Sequence, residues 1–297
     1  MADRIVANGL WPRFRRQAAA MTALMVLALL ILLVICGPLI WRIDPHFIDS
    51  DPVRMIGLRN QAPSLAHPLG TDQLGRDMLA RLMLGGQVSL AVGLVAMLVA
   101  LGIGTGIGLL AGYFRRLDGW LMRLTDIFLS LPVLPLMLVM MFLFRDALGR
   151  WIGPGAGSFA LIVLAIGLTG WMPAARLVRA EVLSLRERDF IRAARAIGAP
   201  APRILRHHIL PNVWAPVLVA ASLGISSAIL TESMLSFLGF GFPPDMPTWG
   251  RLLHEGVGAM RSHPDRLVWP GLALTLTLLC VTYIGEGLRR ALDPRQH

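Results

Sequence analysis

Lysine is absent from this 297-residue sequence, in which all 28 lysine-plus-arginine cations are arginines. The chain therefore has no residue to act as the phosphate-binding lysine of a P-loop, and none to form a Schiff base with a carbonyl substrate. Any ATP chemistry that drives it belongs to another polypeptide. Cysteine is almost as scarce. Cys36 and Cys280 both fall in apolar runs, with no CxxC spacing and no neighbouring histidine cluster, so both read as core packing. Charge is sparse too, at 15% of residues against 55% hydrophobic, and the mean hydropathy is +0.64. That balance excludes a soluble two-domain protein.

What is abundant is apolar length. A bilayer core about 30 Å thick needs roughly 20 apolar residues per helix. Such runs lie near Ala18–Trp41, Val88–Gly112, Trp120–Phe144, Phe159–Val178, Val213–Leu235 and Val268–Leu288, which predicts an all-α membrane protein with about six transmembrane helices. The fourth run is the weakest, because Trp171 and Pro173 interrupt it and Arg176 follows. The first follows a basic segment as a signal peptide would, but it is too long for one, and Pro38, Trp41 and Arg42 stand where small cleavage-site residues belong. It reads as a retained span. With an internal N-terminus, 17 arginines fall on inner segments, Arg4 and Arg295 among them, and 10 on longer outer ones. The positive-inside rule therefore predicts both termini in the cytoplasm. This topology and anionic lipid account for the formal charge of +10 without any nucleic acid.

Chemistry inside the spans is thin. The first, second and fourth runs have uncharged interiors, while Asp126, Glu232 and Glu286 sit near span ends. An ion-coupled carrier needs acidic groups near the midplane, so a stand-alone secondary carrier is the weaker reading. Glu232 reads as a hydrogen-bonded interhelical carboxyl ahead of a direct transport role. In the second run Gly102, Gly104, Gly106 and Gly108 form two overlapping GxxxG pairs, predicted to let a neighbouring helix approach closely. The seven histidines show no metal-site spacing.

Two outer segments look amphipathic. One begins at HPLGTDQLGRD, with Thr71 or Asp72 as its helix cap; the other follows PTWG, where Trp249 suits a membrane interface. Asp72, Arg76, Asp77 and Trp249 are the candidates for docking an extracytoplasmic partner. Between the fourth and fifth runs lies a polar island, Arg188–Asn212. Phe190, Ile191, Ala194 and Ile197 recur at helical spacing, Gly198, Pro200 and Pro202 interrupt, and Ile204, Leu205 and Ile209 resume. That pattern predicts a short helix, a turn and a second short helix.

The island resembles the cytoplasmic signature of permease subunits from binding-protein-dependent ABC importers, specifically the C-type subunit of the dipeptide, oligopeptide and nickel group. The signature reads Glu-Ala-Ala, three residues, Gly, nine residues, Ile, one residue, Leu-Pro. Here it falls on Arg192, Ala193, Ala194, Gly198, His208, Leu210 and Pro211, with arginine and histidine replacing its Glu and Ile. HPLGTDQLGRD, LTDIFLSLP, ILTESMLSFLGFG with PTWG, and the ending GLRRALDP match as well, so the resemblance runs from about Leu65 to Pro294. It implies a multi-pass protein of the bacterial inner membrane, with an N-terminal unit over 1–64, a permease unit over 65–297, and a coupling loop at about 180–212. The implied partners are a second permease subunit in a heterodimer, two cytoplasmic ATPases and an extracytoplasmic binding protein. The implied chain is not an enzyme and holds no cofactor, ATP and Mg being bound by the ATPases. Phe190, Ile191, Ile197 and Ile204 would enter a groove on the ATPase, with Arg188, Arg195 and Arg203 at its rim. A di- or oligopeptide is the expected cargo, with a nickel chelate, an opine or a glycoside as the alternatives.

Overall fold

The computed structural model describes residues 11–292, and its regular structure among them is entirely helical. Arg4, Arg295 and the Asp293–Pro294 end of the last matching motif lie outside the described residues. After a helical turn at 11–15 come α1 (Ala18–Ile40), α2 (Pro52–Leu58), α3 (Met78–Tyr113), α4 (Arg115–Ser130), α5 (Val133–Ile152), α6 (Pro154–Arg186), α7 (Asp189–Ala196), α8 (Ala201–Ile204), α9 (Leu210–Phe237), α10 (Trp249–Ala259) and α11 (Asp265–Leu292). Five helices are long and apolar enough to cross a membrane, or six if the bent pair α4–α5 counts as one span. The all-α, roughly six-span expectation holds.

The centre is a slab of α3, α6 and α9, closed on one side by α5 and flanked on the other by α11 and α1. Its core joins Val92 and Ala96 of α3 to Met137 and Met141 of α5, Ile162 and Ala165 of α6, and Ala228 and Leu235 of α9. By contrast, α1 buries little within this chain; Gln87 donates to its Val34 carbonyl at 2.8 Å, and Gln17 donates to Gly287 of α11 at 3.0 Å.

Three boundaries differ from the sequence reading. The predicted outer amphipathic helix and the second span are one helix, α3, whose 36 residues extend about 54 Å and so project well beyond a bilayer core. Its cap is Asp77, which accepts from the Ala80 amide at 2.7 Å, and neither Thr71 nor Asp72. Gly85 and Gly86 do not end it, because they admit the Thr248–Trp249 backbone and the Trp249 ring against the helix. The third span is broken at Leu131–Pro132, where α4 and α5 meet at 83°. Pro132 disfavours helix in the residue before it and has no amide to continue the ladder. The fourth run, the weakest on paper, forms the span most enclosed by its neighbours. Pro173 lies inside α6 without stopping it, and Trp171 packs against Ile103, Ile107 and Phe128.

Candidate functional site

The polar island folds as a short helix, a tight turn and a second short helix that runs directly into α9. Arg188 is extended and Asp189 opens α7, its charge placed favourably at the helix N-terminus. At the other end the Ala199 amide donates to the Ala194 carbonyl and the Gly198 amide to the Arg195 carbonyl, both at 3.0 Å. This pair of bonds is a Schellman cap, and it places Gly198 at φ +79°, where a side chain is strained. Pro200 precedes α8, and Leu205–Ile209 then widens into a π-turn. Pro211 accounts for the widening, since it has no amide for the His207 carbonyl and its ring crowds that group. The Asn212 amide group donates to the His208 carbonyl at 2.6 Å.

One face of the island is glued to the span before it. Ile191, Ile204 and Ile209 are fully buried, together with Ala194, against Val178, Val182 and Leu185 at the end of α6 and Val213 and Val217 at the start of α9. Ile191 and Ile204 are therefore not available to a partner's groove, which corrects the sequence expectation. Ile197 is 85% exposed and Phe190 43%, with the Phe190 ring 6.4 Å from that of His208. Helical rotation explains the division, because Phe190 and Ile197, seven apart, share the outer face while Ile191 and Ala194, three apart, share the inner one. Arg188, Arg192 and Arg203 point to solvent. Arg192, standing where the signature has an acid, pairs with Glu187 of its own chain at 3.2 Å. That hydrogen bond holds the Glu187 carboxyl below its usual range. Arg195 is exposed but lies 5.1 Å over the Tyr113 ring.

Behind the island, α6 is locked to α3 through glycine. A Cβ on Gly104 would lie 2.5 Å from the Trp171 carbonyl oxygen, on Gly108 2.6 Å from that of Ala175, and on Gly112 2.6 Å from the Val182 Cβ. Gly102 and Gly106 face open space. The close-packed row is thus Gly104, Gly108 and Gly112 at a period of four. Gly112 escaped the sequence reading, although the spacing carries it. Between α3, α5, α6 and α9 lies a cavity of about 510 Å³, lined by apolar side chains together with the hydroxyls of Thr169, Ser227 and Thr231, and by no ionisable group.

At the opposite end of the bundle, the four docking candidates are buried: Asp72, Arg76, Asp77 and Trp249 are each at most 7% exposed. They present no surface. Asp77 accepts from the Trp41 indole at 3.1 Å and meets His67 at 2.8 Å, and the Trp249 indole donates to the Leu82 carbonyl at 3.1 Å. Asp72 binds Arg76 at 2.7 Å and Arg81 at 2.6 Å, and Arg81 continues to Glu255 of α10 at 2.7 Å. Sequence reading missed Arg81 and Glu255, because their 174-residue separation leaves no local pattern. Glu232, also fully buried, accepts from Ser89 of α3 at 2.9 Å and Ser236 at 2.7 Å. It is an interhelical hydrogen-bonded carboxyl.

Burial pushes the Glu255 carboxyl up, but the Arg81 hydrogen bond and the charges of Arg81 and Arg76 outweigh it and hold the group below its usual value of 4.5. A carboxyl depressed in the folded state contributes stability above its unfolded pKa and loses it as pH falls toward the folded one. The detergent-solubilised protein is therefore expected to lose Tm below about pH 4.5 more steeply than Glu255→Gln. Parallel pH profiles for the two would refute the contribution.

The family described as "Binding-protein-dependent transport system inner membrane component" matches residues 104–297, and "N-terminal TM domain of oligopeptide transport permease C" matches residues 9–63. Among curated relatives, the chain is 38% identical to the oligopeptide transport system permease protein OppC of Haemophilus influenzae, over 99% of this chain and 93% of that protein. It is 34% identical to the dipeptide transport system permease protein DppC of Bacillus subtilis, over 96% and 84%, and 38% to the glutathione transport system permease protein GsiD of Escherichia coli, over 96% and 89%. A solved chain of the MetNI methionine ABC transporter, in inward-facing form, superposes with a TM-score of 0.59 at 21% identity, covering 73% of this chain and 98% of that one. At that identity the likeness concerns the fold.

Proposed function

Because the chain belongs to the binding-protein-dependent transport inner-membrane component family and is a multi-pass permease subunit of an ABC importer, we propose that its Arg188–Asn212 segment receives the ATPase stroke and that its cargo is a di- or oligopeptide. The carrying observation for the first point is the two-sidedness of the segment. Ile191, Ile204 and Ile209 fasten it to α6 and α9, while Phe190, Ile197 and the arginines are left outward. A push on that outer face travels through packed isoleucines into α6, and through the Gly104–Gly112 row into α3. Phe190 and Ile197 are the anchors offered to a groove on the ATPase, with Arg188 and Arg203 at its rim.

Arginine distribution supports placing this end, with both termini, in the cytoplasm. The family works with an ATPase and a substrate-binding protein; in our reading there are two ATPases, which hold ATP and Mg, and a second, non-identical permease completes the path. The relatives' cargoes support a peptide, glutathione being a tripeptide itself. The uncharged cavity suits cargo handed over by a binding protein, since three hydroxyls and apolar walls hold any one side chain weakly.

Gly198→Val tests the coupling role in proteoliposomes carrying the whole transporter. No atom lies within 4 Å of a Cβ at this position, so the change acts through backbone strain of roughly 1–2 kcal/mol. Uptake per ATP hydrolysed is expected to fall severalfold while the subunit still inserts; an unchanged ratio would reject the role. Ligand identification on the partner binding protein tests the cargo, and a nickel or sugar ligand would overturn the peptide.

A further inference from the structure

A second feature lies at the island end, beside the coupling segment. Where α3 passes into α4, a recess of about 800 Å³ is lined by Tyr113, Phe114, Arg115, Arg116, Arg186 and Arg195, among others. The lining carries four arginines against one carboxylate, Glu187, and that carboxylate is already engaged by Arg186 and Arg192. Arg115 and Arg116 are exposed and form no ion pair among the described residues. The Arg186 guanidinium is largely buried, yet its contacts are weak, at 3.4 and 3.5 Å to the Gly112 and Tyr113 carbonyls and 3.5 Å to Glu187. Bonds this long yield to a better-placed acceptor.

The surroundings identify the acceptor's carrier. Leu117 and Trp120 of α4 follow the arginine pair in sequence and are exposed, Trp120 at 76%, with Leu124 and Ile127 continuing the apolar row. A basic recess that opens beside an apolar helix face, at the end of a spanning helix, is matched by a molecule with a phosphate at one end and acyl chains at the other. We propose that this recess binds the headgroup of an anionic phospholipid. Arg115 and Arg116 would grip the phosphodiester, Arg186 would add its positive charge from below, and the acyl chains would lie along Leu117, Trp120 and Leu124. Guanidinium forks suit phosphate oxygens better than point charges do. The inference rests on the spans crossing a bilayer, and not on the coupling role of the island.

The test purifies the assembled transporter from vesicles of phosphatidylcholine with or without phosphatidylglycerol and reads retained lipid by native mass spectrometry. The wild type is expected to retain phosphatidylglycerol selectively. Arg115→Gln/Arg116→Gln is expected to lose it roughly 25-fold, at about fivefold per arginine, while the charge-matched Arg15→Gln/Arg16→Gln, at an exposed pair outside the recess and outside the island, retains it. Equal retention by the two double variants, or no preference over phosphatidylcholine, would overturn the proposal. Full displacement by inorganic phosphate would assign the recess to a soluble anion instead. Retained lipid with lost ATPase binding in Arg115→Gln/Arg116→Gln would assign it to an acidic protein surface.

Discussion

Gly108→Leu is expected to abolish the folded subunit, whereas Gly106→Leu, two residues away on the same helix, leaves the isolated chain intact. At Gly108 the first added carbon would already lie 2.6 Å from the Ala175 carbonyl oxygen and 2.7 Å from the Val178 Cβ. The nearest obstacle is backbone, which has no rotamer into which to retreat. The helices must part, and α3 against α6 is the most extensive contact in the bundle. Overpacking in a close-packed interior costs about 1–3 kcal/mol where side chains can adjust, and more where they cannot. A loss of at least about 3 kcal/mol is therefore expected, read as a collapse of monodisperse protein in detergent. At Gly106 nothing lies within 4 Å of the new carbon. A Gly106→Leu chain that is stable alone but fails to assemble would show that the outer row of the glycine pattern faces the second permease. A stable Gly108→Leu chain would refute the packing argument.

Ile191→Asp is expected to reduce ATP-driven uptake at least tenfold while every span still inserts. Ile191 is fully buried among Val178, Val182, Ile204 and Ile209, so an aspartate there must either desolvate its charge or pull α7 off the end of α6. Lifting one short helix is cheaper than burying a lone carboxylate, whose cost is several kcal/mol. The contact proposed to carry the stroke is then lost, though the helices above keep their packing. Ile197→Asp supplies the contrast. At 85% exposure it should shift the subunit's own stability by no more than about 0.5 kcal/mol, yet weaken ATPase binding. If Ile191→Asp coupled normally, the seat of the island would have no mechanical role.

The helices were legible because their signal is local. Apolar length announces a span whatever its surroundings, since a bilayer demands it of each segment separately. The island was legible for a related reason: Gly198 and the prolines punctuate it within a few residues, and the isoleucine spacing marks its helices. Its inner and outer faces were not distinguishable, because Ile191 and Ile197 look alike until the end of α6 is placed beneath one of them. The outer docking candidates failed in the same way. Asp72, Arg76, Asp77 and Trp249 read as surface in a polar loop, but Arg81, Glu255 and Ser89 reach them from elsewhere and enclose them.

What the sequence alone determined is therefore the class of the protein: helical, membrane-spanning, without a lysine for ATP chemistry, and carrying the island in a known arrangement. Each of those properties is a statement about neighbours along the chain. Only the tertiary structure decided which glycines touch, which isoleucines anchor, that α3 runs unbroken from Asp77, and that four arginines converge on one recess. Burial and electrostatic pairing depend on contacts between residues up to 174 positions apart, as between Arg81 and Glu255, and no local pattern records them.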